Sequence, residues 1–288
     1  MPIFVIFLIL FSTVFHTAWN VLVKKSKDKD IFLMLSFWVG AVYFLIPSFI
    51  YFFYNPFPAY GWLFIFGSGF VNALYFIFLS KAYTDGHISI TYPIIRSSSI
   101  FVPIIAWVTI GEKISLWGGI GIAVIMLGVY TLNVDIKSFK KTVKNIATKS
   151  ILFAFFAAFF SALYSVIDKG AVSVINPLLY NALYTFFASS IFITIYILTK
   201  KKKKQILEEW HLNKKAILFI PILIFISYSF ILFAFQFGKV SYIVSIRQFS
   251  IILTVFLGVK HFKEGFLTRK LIGSLFIIAG IIILSIVK

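Results

Sequence analysis

Apolar residues along this chain are gathered into long blocks separated by short polar stretches. A helix needs about 20 apolar residues to cross roughly 30 Å of hydrocarbon, and the blocks reach about that length. They lie near residues 3–23, 31–53, 61–80, 88–110, 115–133, 150–168, 176–199, 215–236, 240–259 and 270–287. The pattern therefore predicts an all-α polytopic membrane protein with ten transmembrane helices, here called spans one to ten.

The overall composition supports this interpretation. The chain is 61% hydrophobic, whereas soluble globular domains have an apolar share nearer one half. The chain contains no cysteine, which excludes disulfides and thiolate metal sites, and no metal or cofactor is predicted. The N-terminal MPIFVIFLILF has no basic segment before its apolar run, so we expect a first transmembrane helix instead of a removable signal.

The basic residues predict the orientation of the helices. Of the 27 lysines and arginines, 21 lie in the loops after spans one, three, five, seven and nine, here called the odd loops. By the positive-inside rule, the odd loops face the cytoplasm and both termini lie outside the cell (inner) membrane. The net charge of +18 is then explained by lysines that contact anionic lipids, and no nucleic-acid partner is expected.

The second half of the chain repeats the first. Residues 86–128 resemble residues 238–280, and a slip of one residue places Arg96 on Arg247. At an offset of 152 the identical pairs are Ala82 and Ala234, Gly86 and Gly238, Ser89 and Ser241, Glu112 and Glu264, Gly121 and Gly273, and Gly128 and Gly280.

Five spans per half mean that the second half enters the membrane from the opposite side. We therefore predict inverted repeats at residues 1–133 and 150–288, joined by a basic cytoplasmic linker at 134–149. Inverted repeats are common in secondary transporters, whose substrate site lies near the midplane between the repeats. A central cavity is the expected result.

Arg96 and Arg247 each lie inside an apolar run, and no aspartate or glutamate is predicted at a similar depth. An arginine at mid-helix costs about 2.5 to 3.5 kcal/mol and usually faces a cavity or a partner. Guanidinium groups that share a cavity suit a carboxylate or a phosphate. The alternative is that they snorkel, or bond to backbone that Pro93 and Pro103 interrupt.

Spans one and six carry aromatic and polar residues at matching places. His16, Trp19 and Asn20 lie within one and a half turns, and an offset of 145 aligns Trp19 with Tyr164 and Asn20 with Ser165. The aromatic rings are expected to line the cavity and to accept an ammonium group by cation–π contact. His16 could exchange a proton near neutral pH, or it could simply be hydrogen-bonded.

Other polar residues complete the predicted set. Asn72 and Tyr75 in span three share one helix face, as do Asn181 and Tyr184 in span seven, and either cavity lining or helix packing would explain them. The full set of predicted substrate-binding residues is Arg96, Arg247, His16, Trp19, Asn20, Tyr92, Asn72, Tyr75, Tyr164, Ser165 and Gln248.

The carboxylates are expected to have other roles. Seven of the nine lie in odd loops, which leaves almost nothing for acid–base chemistry within the membrane. Neither HExxH nor GxSxG is present, so an enzyme is not predicted. Glu112 and Glu264 are expected to cap helices, and Asp168 is expected at the outer interface.

Several motifs resemble those of the drug/metabolite transporter superfamily, in its ten-helix members with two EamA-type repeats. The motifs are HTAWN from His16, YPIIRSSS from Tyr92, GEKIS from Gly111, SALYSVIDKG from Ser161, and SIRQFSIILTVFLG from Ser245 followed by KE at Lys263. The resemblance implies ten helices around a central cavity that opens alternately to either side. Such relatives include exporters of amino acids and other metabolites and exchangers of phosphorylated sugars.

The predicted function is therefore a secondary transporter of a small anionic or zwitterionic metabolite, amino-acid-like or phosphorylated, acting by alternating access as an exporter or exchanger. Two features depart from relatives: the loop after span two is uncharged, and span one has no glutamate of the kind that cation-extruding relatives use. One alternative is a flippase for an anionic phosphate-linked lipid carrier. Another is a scaffold without transport activity, which would have no solvent cavity between its halves. A monomer and a homodimer are both compatible with the sequence.

Overall fold

The computed structural model describes residues 1–24, 26–85, 88–133, 148–200, 203–253 and 268–287. Every regular element in this part of the chain is a helix. The helices are α1 Ile3–Lys24, α2 Lys29–Tyr54, α3 Gly61–Asp85, α4 Ile88–Arg96, α5 Ser98–Ile110, α6 Leu116–Asn133, α7 Thr148–Ala171, α8 Pro177–Lys200, α9 Lys203–Phe237, α10 Val240–Ile246 and α11 Thr268–Ile286.

These helices provide the ten predicted spans. Among the described residues, eight apolar segments are long enough to cross a membrane, and Leu116–Leu132 and Val240–Leu253 are shorter. Helices α4 and α5 together form span four, while α10 with helical residues 249–253 begins span nine. The prediction of an all-α polytopic membrane protein is confirmed. The predicted linker falls mostly within 134–147, outside the described residues.

Helix packing follows the inversion of the two repeats. The most extensive contact joins α6 to α11, followed by the contacts of α3 with α7 and of α1 with α9. The last two pairs exchange when each span is replaced by the span five places further along the chain. The pairs α3–α8 and α2–α9 exchange in the same way. The repeats therefore interlock across their whole length, and the space between them belongs to both.

Glycines allow α6 and α11 to cross closely. A methyl group at Gly128 would lie 2.6 Å from the carbonyl oxygen of Gly273, and one at Gly280 would lie 2.7 Å from that of Gly121. Since Gly121 matches Gly273 and Gly128 matches Gly280 in the repeat, these are the same contact made twice. Small residues let membrane helices approach at backbone distance, so this crossing fixes one end of the repeat interface.

Local hydrogen bonds end the helices where the sequence provides suitable residues. The Asn176 side chain accepts a hydrogen bond from the Leu178 amide at 2.9 Å, which caps α8. Ser115 Oγ accepts one from the Gly118 amide at 3.1 Å, which caps the start of α6. Gly111 ends α5 with a φ of +66°, a conformation that glycine adopts without a steric cost.

The outer surface of the bundle is apolar. Leu63 on α3 and Leu116 on α6 are 74% and 79% exposed, and many other large apolar side chains are exposed on the remaining helices. Such a continuous surface is explained by contact with lipid. The polar residues therefore have to lie inside the bundle or at its ends.

Candidate functional site

A cavity of about 660 Å³ lies between the two repeats. Its volume falls within the usual range of about 300 to 1,000 Å³ for small-molecule sites. The scaffold interpretation predicted no such cavity and is wrong on this point. All of the predicted binding residues line it: Arg96, Arg247, His16, Trp19, Asn20, Tyr92, Asn72, Tyr75, Tyr164, Ser165 and Gln248. Their role in binding remains a prediction.

The helix that carries each arginine is interrupted at that arginine. Helix α4 ends at Arg96, and the Ser97 amide donates to the Pro93 and Ile94 carbonyl oxygens in a tight turn before α5. Helix α10 ends immediately before Arg247, which lies in a turn with the following residue. The first repeat has a proline near its break, whereas α10 contains none. Discontinuous helices at matching places in two repeats are typical of transporter binding sites.

Both guanidinium groups lie against tyrosine rings. The Cζ atom of Arg96 is 5.0 Å from the ring centre of Tyr92, and that of Arg247 is 5.4 Å from the ring centre of Tyr228. These are cation–π contacts. In the described part of the chain, no carboxylate lies within ion-pair distance of either guanidinium group. The arginines are therefore available to an anion in the cavity.

Gln248 connects the two interruptions. Its Nε2 atom donates to the Arg96 carbonyl oxygen at 3.4 Å and to Ser99 Oγ at 3.0 Å. Because Gln248 directly follows Arg247, these bonds hold the turn of one repeat against the turn of the other. This bridge places both arginines on the same region of the cavity.

The residues of span one line the same cavity as the arginines. The His16 and Trp19 rings meet edge to face with centres 5.0 Å apart. Asn20 Nδ2 donates to the His16 carbonyl oxygen at 2.7 Å, so part of its hydrogen-bonding capacity is used within its own helix. The proposed exchange of protons at His16 stays a prediction.

The predicted polar residues of spans three, six and seven differ in their surroundings. Tyr75 and Tyr164 meet edge to face with ring centres 5.7 Å apart, one from each repeat. Ser165 Oγ donates to its own helix at the Ser161 carbonyl. Asn181 Nδ2 donates to the Phe225 carbonyl oxygen at 3.0 Å and to a serine hydroxyl on α9. Asn181 therefore both lines the cavity and joins α8 to α9.

Asp168 lies near the end of α7, as expected, but it is not exposed at the interface. Its side chain is fully buried, and Oδ1 accepts hydrogen bonds of 2.5 Å from Ser68 Oγ and from the Tyr180 hydroxyl. The Tyr228 hydroxyl donates to Oδ2. The sequence does not single out Tyr228, because one tyrosine in an apolar run has no pattern until its contacts are known.

Contacts between the repeats close the side opposite the odd loops, where the two termini lie. Glu112 accepts hydrogen bonds from the amides of Val240 and Ser241 at 2.8 and 3.1 Å. This carboxylate therefore caps α10, a helix of the other repeat. The Met1 ammonium donates to the Val287 carbonyl oxygen at 2.8 Å on the same side. Glu264 lies outside the described residues.

The cavity extends toward the odd loops. Its lining reaches Val23 near the end of α1, Leu33 near the start of α2 and Tyr83 near the end of α3. Toward the opposite side, the lining of α1 stops at His16 and that of α2 at Phe44. In the first repeat the lining thus lies toward the odd-loop side, whereas on α8 it reaches Asn181 near the opposite end.

One surface ion pair links the odd-loop ends of α1 and α9. Lys27 Nζ lies 2.5 Å from Glu208 Oε1, and both side chains are exposed. The hydrogen bond between them raises the pKa of Lys27 and lowers that of Glu208. Exposed pairs of this kind contribute little to stability.

A model of the EamA-like transporter family matches residues 3–134 and 148–286. The chain belongs to the EamA-like transporter family. It is accordingly a membrane transporter of the drug/metabolite type, and members of this family are transporters, not enzymes. The two matched segments correspond to the two repeats.

A solved structure titled "Crystal structure of protein" has the same fold. It shares 13% identity with this chain, the alignment covers 99% of this chain and 98% of the other, and the TM-score is 0.75. At this identity the likeness concerns the fold alone. A search of curated proteins gives no match.

Proposed function

We propose that this EamA-like transporter moves a small anionic or zwitterionic metabolite, amino-acid-like or phosphorylated, as an exporter or exchanger. The observation that carries the proposal is the pair of arginines at the helix interruptions. Arg96 and Arg247 line one cavity, come from opposite repeats and have no ion-pair partner among the described residues. A carboxylate or phosphate would accept hydrogen bonds from both guanidinium groups.

Alternating access is the proposed mechanism. The cavity extends toward the odd loops, while cross-repeat hydrogen bonds close the other side. Because the repeats are inverted, exchanging their conformations would close the odd-loop side and open the opposite one. The substrate would remain near the arginines while the helices move around it.

The charge distribution supports one orientation. The odd loops hold 21 of the 27 basic residues, so we place them in the cytoplasm of the cell (inner) membrane, with both termini outside. In that orientation the cavity of this structure extends toward the cytoplasm, where a metabolite exporter or exchanger collects its substrate.

Transport by purified protein in proteoliposomes tests the proposal. The full chain is reconstituted and supplied with a labelled panel of amino acids, organic anions and phosphorylated metabolites. We expect Arg96→Ala and Arg247→Ala each to reduce uptake of the accepted compound by about tenfold or more, because each removes a charged hydrogen-bond donor.

Lys113→Ala is the matched control, since it removes one positive charge from an exposed residue outside the cavity. It should transport like the unmodified chain. Transport by both arginine variants at the unmodified rate would show that the assigned roles are wrong.

A further inference from the structure

Asp168 is a buried carboxylate one layer behind the cavity. It lies where α3, α7, α8 and α9 meet, and it accepts hydrogen bonds from Ser68, Tyr180 and Tyr228. Hydrogen bonds from hydroxyl donors stabilise the ionised form of a carboxylate. Lys169, the next residue, is directed away toward backbone carbonyl oxygens at the end of α9.

Tyr228 connects this carboxylate to the cavity. Its hydroxyl donates to Asp168, while its ring faces the Arg247 guanidinium group at 5.4 Å and lines the cavity. Tyr180 also donates to Asp168 but is fully buried and does not line the cavity. The two tyrosines therefore share one carboxylate, and Tyr228 is the one that contacts the arginine.

The corresponding position of the first repeat has no charge. The offset of 145 that aligns Trp19 with Tyr164 places Val23 opposite Asp168. Val23 is an apolar cavity-lining residue. Arg247 therefore has a buried carboxylate behind it, whereas the residue of the first repeat that matches Asp168 is a valine.

We propose that Asp168 is the counter-ion of Arg247, acting through Tyr228, and that it sets the charge of the substrate at one net negative charge. This inference rests on the proposed function. Among the described residues, the cavity lining contributes two guanidinium groups and no carboxylate, and Asp168 reduces the sum of +2 to +1. Buried charge is costly unless it is balanced, so a solute with one net negative charge is favoured.

This assignment narrows the range of substrates. A monocarboxylate has the required charge, and so does a zwitterion with one additional acidic group. A neutral zwitterion would leave one positive charge unbalanced, and a dianion would add one negative charge in excess. All these solutes carry a carboxylate, and they differ in net charge. Matched compounds that differ by one charge can therefore distinguish a monoanion from a neutral zwitterion and from a dianion.

The experiment uses carboxylate and carboxamide pairs that differ by one charge. Thermal stabilisation of the purified full chain is measured against aspartate and asparagine, glutamate and glutamine, and succinate and succinamate. In the unmodified chain, the member with one net negative charge should half-saturate at the lowest concentration in each pair: aspartate, glutamate and succinamate.

Asp168→Asn should change this order. With the negative charge of Asp168 removed, the affinity for succinate should rise about tenfold relative to the affinity for succinamate. This is the size expected for one additional charge in a medium of low dielectric. Tyr180→Phe is the matched control, because it removes one hydrogen bond from the same carboxylate without replacing the carboxylate by a neutral group. It should keep the original order even if it lowers thermal stability.

Two results would overturn the assignment. If Asp168→Asn leaves the ratio of the half-saturating concentrations of succinate and succinamate unchanged, Asp168 only joins helices. An equal loss of affinity for both compounds is one form of this result. Failure of all six compounds to bind, while other solutes of the transport panel still depend on both arginines, would refute the charge rule and leave the proposed function standing. Transport that is independent of both arginines would refute the proposed function itself.

Discussion

At the scale of single residues, each arginine of the cavity is held against an aromatic ring and not by a carboxylate. Arg96 lies 5.0 Å from Tyr92 and Arg247 lies 5.4 Å from Tyr228. A planar guanidinium group stacks on a ring and still directs several N–H donors toward a ligand. Lysine has the same charge, but its ammonium group is not planar and does not present paired N–H donors.

Arg96→Lys and Arg247→Lys test this difference. We expect KM for the transported anion to rise by about tenfold while maximal uptake changes less, because the charge stays and paired hydrogen bonds are lost. Kinetics in proteoliposomes provide the measurement, and thermal unfolding checks that the variants are folded. Unchanged KM values in both variants would argue against recognition of the anion by paired hydrogen bonds.

At this scale the sequence was informative about residues that are costly in a membrane. Arginine, histidine and asparagine in an apolar run need a polar environment, so the sequence predicted cavity lining for Arg96, His16 and Asn72, with snorkelling, a local hydrogen bond and helix packing as the respective alternatives. Tyr228 was missed because tyrosine is also common on lipid-facing surfaces. Asp168 was misplaced because its three hydroxyl partners come from helices far apart in the sequence.

At the scale of helices, the crossing of α6 and α11 depends on glycines that allow backbone contact. At Gly128 an added methyl group would meet backbone atoms of α11, whereas at Gly119 it would meet nothing within 4 Å. Both glycines lie in α6. Alanine substitution at Gly128 therefore tests the close approach of the helices, while substitution at Gly119 tests helix propensity alone.

Gly128→Ala should lower the free energy of unfolding by about 1 to 3 kcal/mol, since backbone atoms cannot move aside as a flexible side chain can. Gly119→Ala should be neutral or slightly stabilising, because alanine favours a helix by about 1 kcal/mol over glycine. Thermal unfolding of both variants in detergent compares them directly. Equal stabilities would mean that the close approach of α6 and α11 is not required.

The interrupted helices were only partly predictable at this scale. Pro93 marks span four as irregular, and the turn follows it at Ser97. The matching turn at Arg247 has no proline in its helix. At this turn Gln248 donates a hydrogen bond to the Arg96 carbonyl oxygen of the other repeat. No local signal in the sequence indicates that contact.

At the scale of the whole molecule, the cavity is closed on one side and extends toward the other. Because the chain contains no cysteine, a single introduced cysteine can report from which side of the membrane a reagent reaches its position. Leu79 on α3 lines the cavity, and Ile65 on the same helix is fully buried on the closed side. Asn55 is exposed in the loop after span two.

Membrane-impermeant maleimide should label Leu79→Cys only from the cytoplasmic side and Asn55→Cys only from outside. Ile65→Cys should remain unlabelled from both sides, because packed side chains exclude the reagent. Labelling of intact cells and of inverted vesicles gives the comparison. Labelling of Asn55→Cys from the cytoplasmic side would show that the orientation is the reverse of the one proposed.

The sequence by itself determined the number of spans, the presence of two repeats and the class of residue that lines their interface. These features follow from the thickness of the bilayer, the odd number of spans per repeat and the cost of charge in hydrocarbon, all of which act on local composition. Tertiary structure alone decided that a helix without a proline breaks at Arg247, that the cavity extends toward the odd loops, and that Asp168 lies behind Arg247. These features depend on contacts between residues far apart in the sequence, such as those of Ser68 and Tyr228 with Asp168, which local composition does not specify.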